Sequence, residues 1–429
     1  MELIKHAQPG AEQDNKPVRD TVAAIIAEVR QGGEQAVLRL EEKLSGIKRE
    51  TVRVNPDTIK AAADTLDAET AGALRFAAER IREFALKQKE CLLPLHYQSG
   101  IPGLELGHSL CPVESCGCYV PAGRHPLPSS ALMSVITAKV AGVPRIAACS
   151  PPVAEYGGIH PVVLAALDIA GADEIYCMGG AQAIAAFAYG ISGIKPVDFI
   201  AGPGNRYVAE AKRQILGDAG IDSIAGPSEV LIVADNSANA EFIAADLLAQ
   251  CEHDSAARAT LVSLSRPLAD SVTTAVDAGL RRLEEAHNNE QALTARIAWR
   301  DNGEIYLAQN LDEAAAFANS RAPEHLEVQI APEFEASFIG KLTAYGSLFV
   351  GSYAPVALGD FVSGPNHILP TGRTARFSSG LWVGSFMRIQ FRQFVSREAC
   401  AALARPCARL AHDEGLFAHE QSVLIRQKF

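Results

Sequence analysis

"RIAACSPPVAEYGGIHPVVLAALDIAGADEIYCMGG", residues 145–180, is the stretch that decides the fold class of this 429-residue chain. Two short runs of small and β-branched apolar residues flank an alanine-rich apolar run that is long enough for a helix. Glycine or proline marks each change from one kind of run to the other. A strand, a helix and a second strand in this order are typical of a parallel sheet covered by helices.

The same alternation extends outward from this stretch in both directions. It begins near residue 112 and continues to "RYVAEAKRQILG" (206–217), and a second series runs from "VLIVAD" (230–235) to "SLFVG" (347–351). Residues 20–90 have apolar positions at helical spacing throughout. The pattern predicts an α/β protein with two Rossmann-like parallel-sheet units, an N-terminal helical segment and a C-terminal arm.

We divide the chain where the pattern changes. The first α/β unit is expected to combine residues 20–115 with residues 230–375, so that the N-terminal helices complete it. The second Rossmann-like unit is expected to span residues 116–229. Residues 1–19 would form an N-terminal arm, and residues 376–429 a C-terminal arm that returns to helix and ends in a β-like run, "QSVLIR".

The composition excludes several classes of protein. A net charge of -11 with no basic block argues against nucleic acid as a partner. No apolar run approaches the roughly 18 residues of a membrane span, and the polar first twenty residues do not resemble a signal peptide. The nine cysteines are expected to be reduced thiols. We therefore expect a cytoplasmic protein with no membrane partner.

Two glycine-rich corners follow predicted strands. Residues 202–205, Gly-Pro-Gly-Asn, stand between a strand and a helix start, where free backbone N–H groups favour an anion, and residues 179–182 make a similar corner. Neither is a full dinucleotide fingerprint. Either corner alone is better explained as a tight turn. Together they leave a nucleotide crevice at the carboxyl edge of the sheet open as an alternative.

Polar residues are concentrated in four segments. Gln250 and His253 lie three residues apart at a predicted helix end, so both side chains share one face. Later segments carry a neighbouring carboxylate and imidazole suited to acid–base work, and further Asp, His and Glu residues: Glu324, His325, Asp360, His367, Glu414 and His419. Each alone is readily structural, as a cap or a solvated charge. As a set, one Asp, two His and a Gln oxygen would suit zinc.

Long motifs in this chain resemble the histidinol dehydrogenase family. The resemblance runs in order from about residue 20 to the end and rests on "YVPAGRHPLPSSALMSVITAKVAGVPRI", "GGAQAIAAFAYG", "AGPGNRYVAEAKR", "IDSIAGPSEVLIVAD", "AQCEHD", "APEHLEV", "LGDFVSGPNHILPTG", "RFSSGL" and "EGLFAH". It implies a zinc- and NAD-dependent enzyme that works as a domain-swapped homodimer.

The resemblance also implies residue roles. One zinc ion per subunit would be held by Gln250, His253, Asp360 and His419, with His419 supplied by the partner subunit. Glu324 and His325 would be the catalytic acid–base pair. The NAD-contacting positions would be Tyr119, Gln182 and Asn205. The substrate-contacting positions would be Ser228, Gln250, His253, His325, Asp360, His367, Glu414 and His419.

The implied reaction oxidises a primary alcohol through an aldehyde to a carboxylate by two hydride transfers to NAD, with L-histidinol as the leading substrate. Some segments, such as "AWRDNGEIYL" and "GLWVGSFMR", look more like paralogues that oxidise other small alcohols, including 2,3-dihydroxypropane-1-sulfonate. A sulfonate calls for a cation, for which Arg124, Arg373 and Arg376 are candidates, whereas histidinol's ammonium calls for a carboxylate such as Glu414. A non-catalytic nucleotide- or metal-binding protein is the alternative of another class.

Overall fold

The computed structural model describes residues 1–8, 16–122, 125–287 and 290–428. The strands are, in chain order, β1 (Glu2–Lys5), β2 (Leu95–Gln98), β3 (Leu104–Pro112), β4 (Ser115–Tyr119), β5 (Arg145–Ser150), β6 (Glu174–Cys177), β7 (Phe199–Ala201), β8 (Gly220–Ile221), β9 (Glu229–Ala234), β10 (Arg258–Ser263), β11 (Gly303–Leu307), β12 (His325–Gln329), β13 (Ser347–Val350) and β14 (Met387–Val395).

The helices alternate with most of these strands. They are, in chain order, α1 (Lys16–Ser45), α2 (Pro56–Asp64), α3 (Ala68–Glu90), α4 (Pro128–Ala141), α5 (Pro161–Ala170), α6 (Gly180–Tyr189), α7 (Arg206–Ile215), α8 (Ala240–Cys251), α9 (Arg266–His287), α10 (Glu290–Asn302), α11 (Leu311–Arg321), α12 (Pro332–Ile339), α13 (Val356–Phe361), α14 (Arg397–Asp413) and α15 (Phe417–Leu424).

The stretch 145–180 forms the strand, helix and strand that its pattern predicts. β5 and β6 pair in parallel, and within the described residues they belong to a five-stranded parallel sheet with the order β6-β5-β4-β7-β8. The central strands are buried on both faces because helices cover both sides. This sheet confirms the predicted parallel α/β architecture for the middle of the chain.

The N-terminal helices pack on this five-stranded sheet. α1 contacts α6 and α7 on one face, while α2 and α3 contact α5 and α4 on the other. Their apolar stripes join the cores of that sheet, as Val22 and Ile81 illustrate. The sequence analysis groups residues 20–115 with residues 230–375. The N-terminal helices instead contact the helices of residues 116–229. An amphipathic face shows that a helix has a partner but not which sheet the partner is in.

The second parallel sheet is built from the later strands. In the described part of the chain it has six strands in the order β1-β11-β10-β9-β12-β13, all parallel except β1. β1 pairs antiparallel with β11, so the first residues extend the sheet as an edge strand, although the sequence suggested an arm. β9 lies between β10 and β12, and its first residues lie beside the start of β12.

The C-terminal residues differ from the sequence prediction in two ways. β14 pairs along its full length with β3, and β2 completes an antiparallel sheet that the sequence analysis did not predict. The prediction of a β-like end for "QSVLIR" is wrong, because α15 covers most of that run and a 3-10 turn at Ile425–Lys428 follows it. α14 and α15 pack mainly on each other.

Candidate active site

A cavity of about 170 Å³ lies between the two parallel sheets. The five-stranded sheet contributes the segment that follows β4, with Ser129 and Ser130, and the corner that follows β7, with Pro203 and Gly204. The six-stranded sheet contributes residues that precede or begin β9 and β12. The cavity is therefore enclosed by the carboxyl edge of one sheet and the amino edge of the other. The sequence analysis expected ligand binding at a carboxyl edge, which forms one wall.

Most of the predicted site residues meet at this cavity. The lining includes Ser228, Gln250, His253, Glu324, His325, Asp360 and His367, which come from four separate segments of the chain. Glu414 and His419 do not line it. Glu414 is the C-cap residue of α14 and His419 lies within α15, and both side chains are exposed.

Glu324 and His325 lie at the start of β12, in a buried position. The Glu229 amide donates to Glu324 Oε2 at 2.9 Å, and His325 Nδ1 lies 3.2 Å from the Glu229 carbonyl oxygen. A carbonyl oxygen only accepts, so Nδ1 carries the hydrogen. His325 Nε2 is buried and has no hydrogen-bond partner within the described residues. Nε2 lies at the cavity, 3.7 Å from an oxygen of Asp360.

The surroundings of this pair shift both pKa values upward. Burial raises the pKa of Glu324 to about 7, although the neighbouring imidazolium opposes the shift. Burial alone lowers the pKa of His325, but the carboxylates of Glu324 and Asp360 outweigh it and raise that pKa to about 9. Burial raises the pKa of Asp360, but its contact with His325 outweighs this and leaves the pKa below the usual value. Glu324 can thus exchange its proton near neutral pH, whereas His325 is mostly protonated there.

His367 is fixed in one tautomer by its two neighbours. Its Nδ1 lies 3.0 Å from the Asp360 carbonyl oxygen, and its Nε2 lies 2.9 Å from Ser130 Oγ. Because the carbonyl can only accept, Nδ1 donates and Nε2 accepts from the serine hydroxyl. Burial lowers the pKa of His367, which keeps the ring neutral. His367 therefore joins the start of α4 to the end of α13.

Three of the four proposed zinc ligands lie in this cavity. Gln250 is in the last turn of α8, His253 follows that helix, and Asp360 is in α13. Gln250 Nε2 is buried and, among the described residues, has no partner, so this N–H donor is left for a ligand. In the described ranges no group of three or more His, Cys, Asp or Glu side chains is close enough to hold a metal. Only two of the three ligands in the cavity are of those types.

A buried ion pair holds the glycine corner at the rim. Lys212 Nζ and Asp222 Oδ1 are 2.6 Å apart, and both side chains are less than 5% exposed. Asp222 Oδ2 accepts from the Gly202 amide at 2.7 Å, and Lys212 donates to the Gly202 carbonyl at 2.5 Å. Gly202 has a φ of +121°, and a Cβ there would come within 2.0 Å of the Tyr119 carbonyl oxygen. Glycine is therefore required where the corner passes the end of β4.

The predicted NAD-contacting residues do not line the cavity and have partners within the chain. Gln182 is buried and donates from Nε2 to Glu41 Oε1 at 2.8 Å, and the Tyr119 hydroxyl accepts from the Gly180 amide. Glu41, from α1, also accepts from the Gly179 amide at 2.7 Å. Asn205 caps α7. The corner at residues 179–182 thus already holds a carboxyl group of this chain, while the corner at residues 202–205 borders the cavity.

Nearly the whole chain matches one protein family. The model of this family, histidinol dehydrogenase, matches residues 8–427. The chain belongs to the histidinol dehydrogenase family. It is accordingly an NAD-dependent dehydrogenase.

Individual relatives agree with the family assignment. The histidinol dehydrogenase of Ruegeria pomeroyi is 43% identical over 422 residues, which cover 97% of this chain and 94% of the relative. A histidinol dehydrogenase homolog of Shouchella clausii is 40% identical over 411 residues, covering 96% and 94%. The crystal structure of histidinol dehydrogenase from Elizabethkingia anophelis matches with a TM-score of 0.90 and 32% identity, covering 98% of this chain and 94% of that one.

Other features of this family member bear on its ligands. Arg373 and Arg376 are exposed and do not line the cavity, and Arg124 lies outside the described residues. Across the described ranges, no helix is both long enough and apolar enough to cross a bilayer.

Sequence reasoning missed Ser130 and the backbone of Glu229. The serine lies in the quoted motif "PSSALM", but its role depends on His367, which is distant in the chain.

Proposed function

We propose that this member of the histidinol dehydrogenase family oxidises L-histidinol through the aldehyde to L-histidine, with NAD as the oxidant. The observation that carries the proposal is the meeting of the Glu324–His325 pair with Gln250, His253 and Asp360 at one buried cavity. Among the described lining residues there is no lysine or arginine, which suits a cationic substrate better than a sulfonate. Family membership supports the same substrate.

The residues present fit a zinc ion. Gln250, His253 and Asp360 offer oxygen and nitrogen atoms as ligands, and the side-chain oxygen would be the ligand atom of Gln250. We propose that His419 of the partner subunit completes the set, because this chain's own His419 is exposed and outside its cavity. When bound, zinc would hold the substrate in register and neutralise the charge of Asp360 beside His325.

The surface of β14, α14 and α15 has the apolar character of an interface with a second copy of the chain. Large apolar side chains are exposed on β14, including Ile389, Phe394 and Phe391, which is 85% exposed. Leu410 and Phe417 are exposed on α14 and α15. An apolar surface of this kind is typical of a protein interface. We therefore propose that β14, α14 and α15 form the arm of a domain-swapped homodimer, which brings Glu414 and His419 to the other subunit's cavity.

We propose that the Glu324–His325 pair carries the proton transfers of both oxidation steps. NAD, when bound, accepts one hydride in each step, and we propose that Tyr119, Gln182 and Asn205 contact it. In the first step, the neutral form of His325 accepts at Nε2 the proton that the alcohol oxygen releases. In the second step, the Glu324 carboxylate takes a proton from the water that adds to the aldehyde carbon, which leaves the hydrate as its anion. This anion then gives up the second hydride to NAD and becomes the carboxylic acid, which releases one proton to form the carboxylate.

The remaining substrate contacts are also proposals. Ser228 and the neutral His367 line it and are proposed to contact the imidazole end of histidinol. Glu414, supplied by the partner subunit, would pair with the ammonium group.

The proposed function is tested by a substrate screen with the purified, zinc-loaded protein. NADH formation is measured by absorbance with L-histidinol and, separately, with 2,3-dihydroxypropane-1-sulfonate. The expected result is turnover of histidinol, with two NADH formed per substrate. Turnover of the sulfonate alone would replace the substrate and keep the reaction type. Bound zinc without turnover of any primary alcohol would support a non-catalytic binding protein instead.

A further inference from the structure

Two carboxyl groups outside the cavity, one half-buried and one buried, have no role in the reaction described above. Asp246 is in α8, one helical turn before Gln250. Glu327 is in β12, two residues after His325, and is 1% exposed. Neither residue lines the cavity. They therefore belong to the framework that carries the site.

The two carboxyl groups contact each other and link three elements. Gln329 Nε2 lies 3.1 Å from Glu327 Oε2 and 3.4 Å from Asp246 Oδ2. The amide of Val356, the first residue of α13, donates to Glu327 Oε1 at 3.3 Å. Asp246 and Glu327 are within hydrogen-bonding reach of each other. The pair thus joins α8 and β12 to the start of α13.

The environment of the pair favours one proton rather than none. Gln329 and the Val356 amide are the groups that face it, and the carboxyl groups have their charge interaction with each other. Burial, together with Asp246, raises the pKa of Glu327 to about 8, and burial raises the pKa of Asp246 to about 6. Two ionised carboxylates in contact would repel, whereas one shared proton converts the contact into a charge-assisted hydrogen bond.

We propose that Asp246 and Glu327 share one proton and thereby fix the spacing between α8 and α13. α8 carries or immediately precedes Gln250 and His253, and α13 carries Asp360. The distance between these two helices therefore sets the distance between the proposed zinc ligands that they carry. Asp246 and Glu327 are thus positioning residues, and this role rests on the metal assignment in the proposed function.

The positioning role is tested by comparing the zinc affinities of variants at these two positions. The full-length protein is titrated with zinc against a chromophoric chelator. At about pH 7, Asp246→Asn and Glu327→Gln should bind zinc within about threefold of the wild type, because an amide keeps the hydrogen bond and one negative charge remains. Asp246→Ala should bind about 10- to 100-fold more weakly. Glu241→Gln, which changes an exposed carboxylate on the same helix, is the matched control.

The pH dependence separates a shared proton from simple packing. Above about pH 8, where the shared proton leaves, zinc affinity of the wild type should fall relative to that of Asp246→Asn at the same pH. Parallel pH profiles in the two proteins would overturn the shared proton. Wild-type affinity in a folded Asp246→Ala would overturn the positioning role. If Asp246→Ala does not fold, as judged by circular dichroism, the pH profiles of zinc affinity in the wild type and in Asp246→Asn still test the shared proton.

Thermal unfolding of the metal-free protein distinguishes this proposal from the proposed function. An acid whose pKa is raised by folding binds more protons in the folded state, so its contribution makes the wild type less stable as pH rises from about 4.5 to about 8. Glu327→Gln lacks this loss of stability. The Tm of this variant minus the Tm of the wild type should therefore increase as the pH rises over this range. Absence of zinc binding by the wild type would overturn the metal assignment and the positioning role with it, while the Tm comparison would still decide the shared proton.

Discussion

The role of Glu324 can be tested by isolating the second oxidation step. With a pKa of about 7, the carboxyl is about 9% ionised at pH 6 and about 91% ionised at pH 8, so a step that needs its carboxylate should accelerate about tenfold across this interval. A glutamate with the ordinary pKa of 4.5 would give an almost flat profile. The assay supplies the aldehyde and NAD to the zinc-loaded protein and follows NADH formation.

Replacing the residue gives the second arm of the same test. Glu324→Gln keeps the shape and the contact with the Glu229 amide but cannot accept a proton from water. Aldehyde oxidation should slow by about 10²- to 10⁴-fold, which corresponds to about 3–5 kcal/mol of barrier. Reduction of the aldehyde by NADH needs no activated water and should persist, which controls for folding and cofactor binding. Aldehyde oxidation at the wild-type rate in this variant would refute the role of Glu324.

Three further predictions concern the metal, a buried histidine and the glycine corner. His253→Ala and Asp360→Ala should each lose zinc on dialysis, measured as metal content, and full retention in both would contradict the ligand set. Ser130→Ala leaves Nε2 of His367 without its serine partner and should lower the free energy of unfolding by about 1–3 kcal/mol in urea titrations; an unchanged midpoint would argue against this hydrogen bond. Gly202→Ala should lower stability by more than about 2 kcal/mol, because of its positive φ and the close backbone of β4, and a wild-type Tm would show that the corner can shift.

The parallel sheets were predictable because their signal is local. In residues 145–180, each strand and helix can be identified from its own apolar pattern and from the glycines between them. The partner of α1 was not predictable in this way, since its apolar stripe would fit either sheet. β14 carried a usable signal, because "MRIQFR" alternates apolar and polar residues, but its partner β3 is distant in the chain.

The candidate site was predictable in its residue types and only partly in its geometry. Resemblance and residue chemistry selected Gln250, His253 and Asp360, and the fold brings all three to one cavity. Nothing in the spacing indicated that the amino edge of a sheet would carry the acid–base pair. The assignment of His419 to the other subunit stays a prediction, because that residue lies outside this chain's own cavity.

The sequence by itself determined the α/β class, the family and the residues with suitable chemistry, because periodicity and motifs are properties of neighbouring residues. Only the tertiary structure decided which sheet the N-terminal helices cover and which residues share a cavity, because these depend on packing between distant segments. It also decided the protonation behaviour. Glu324 has the ordinary side chain of any glutamate, and burial beside His325 raises its pKa to about 7.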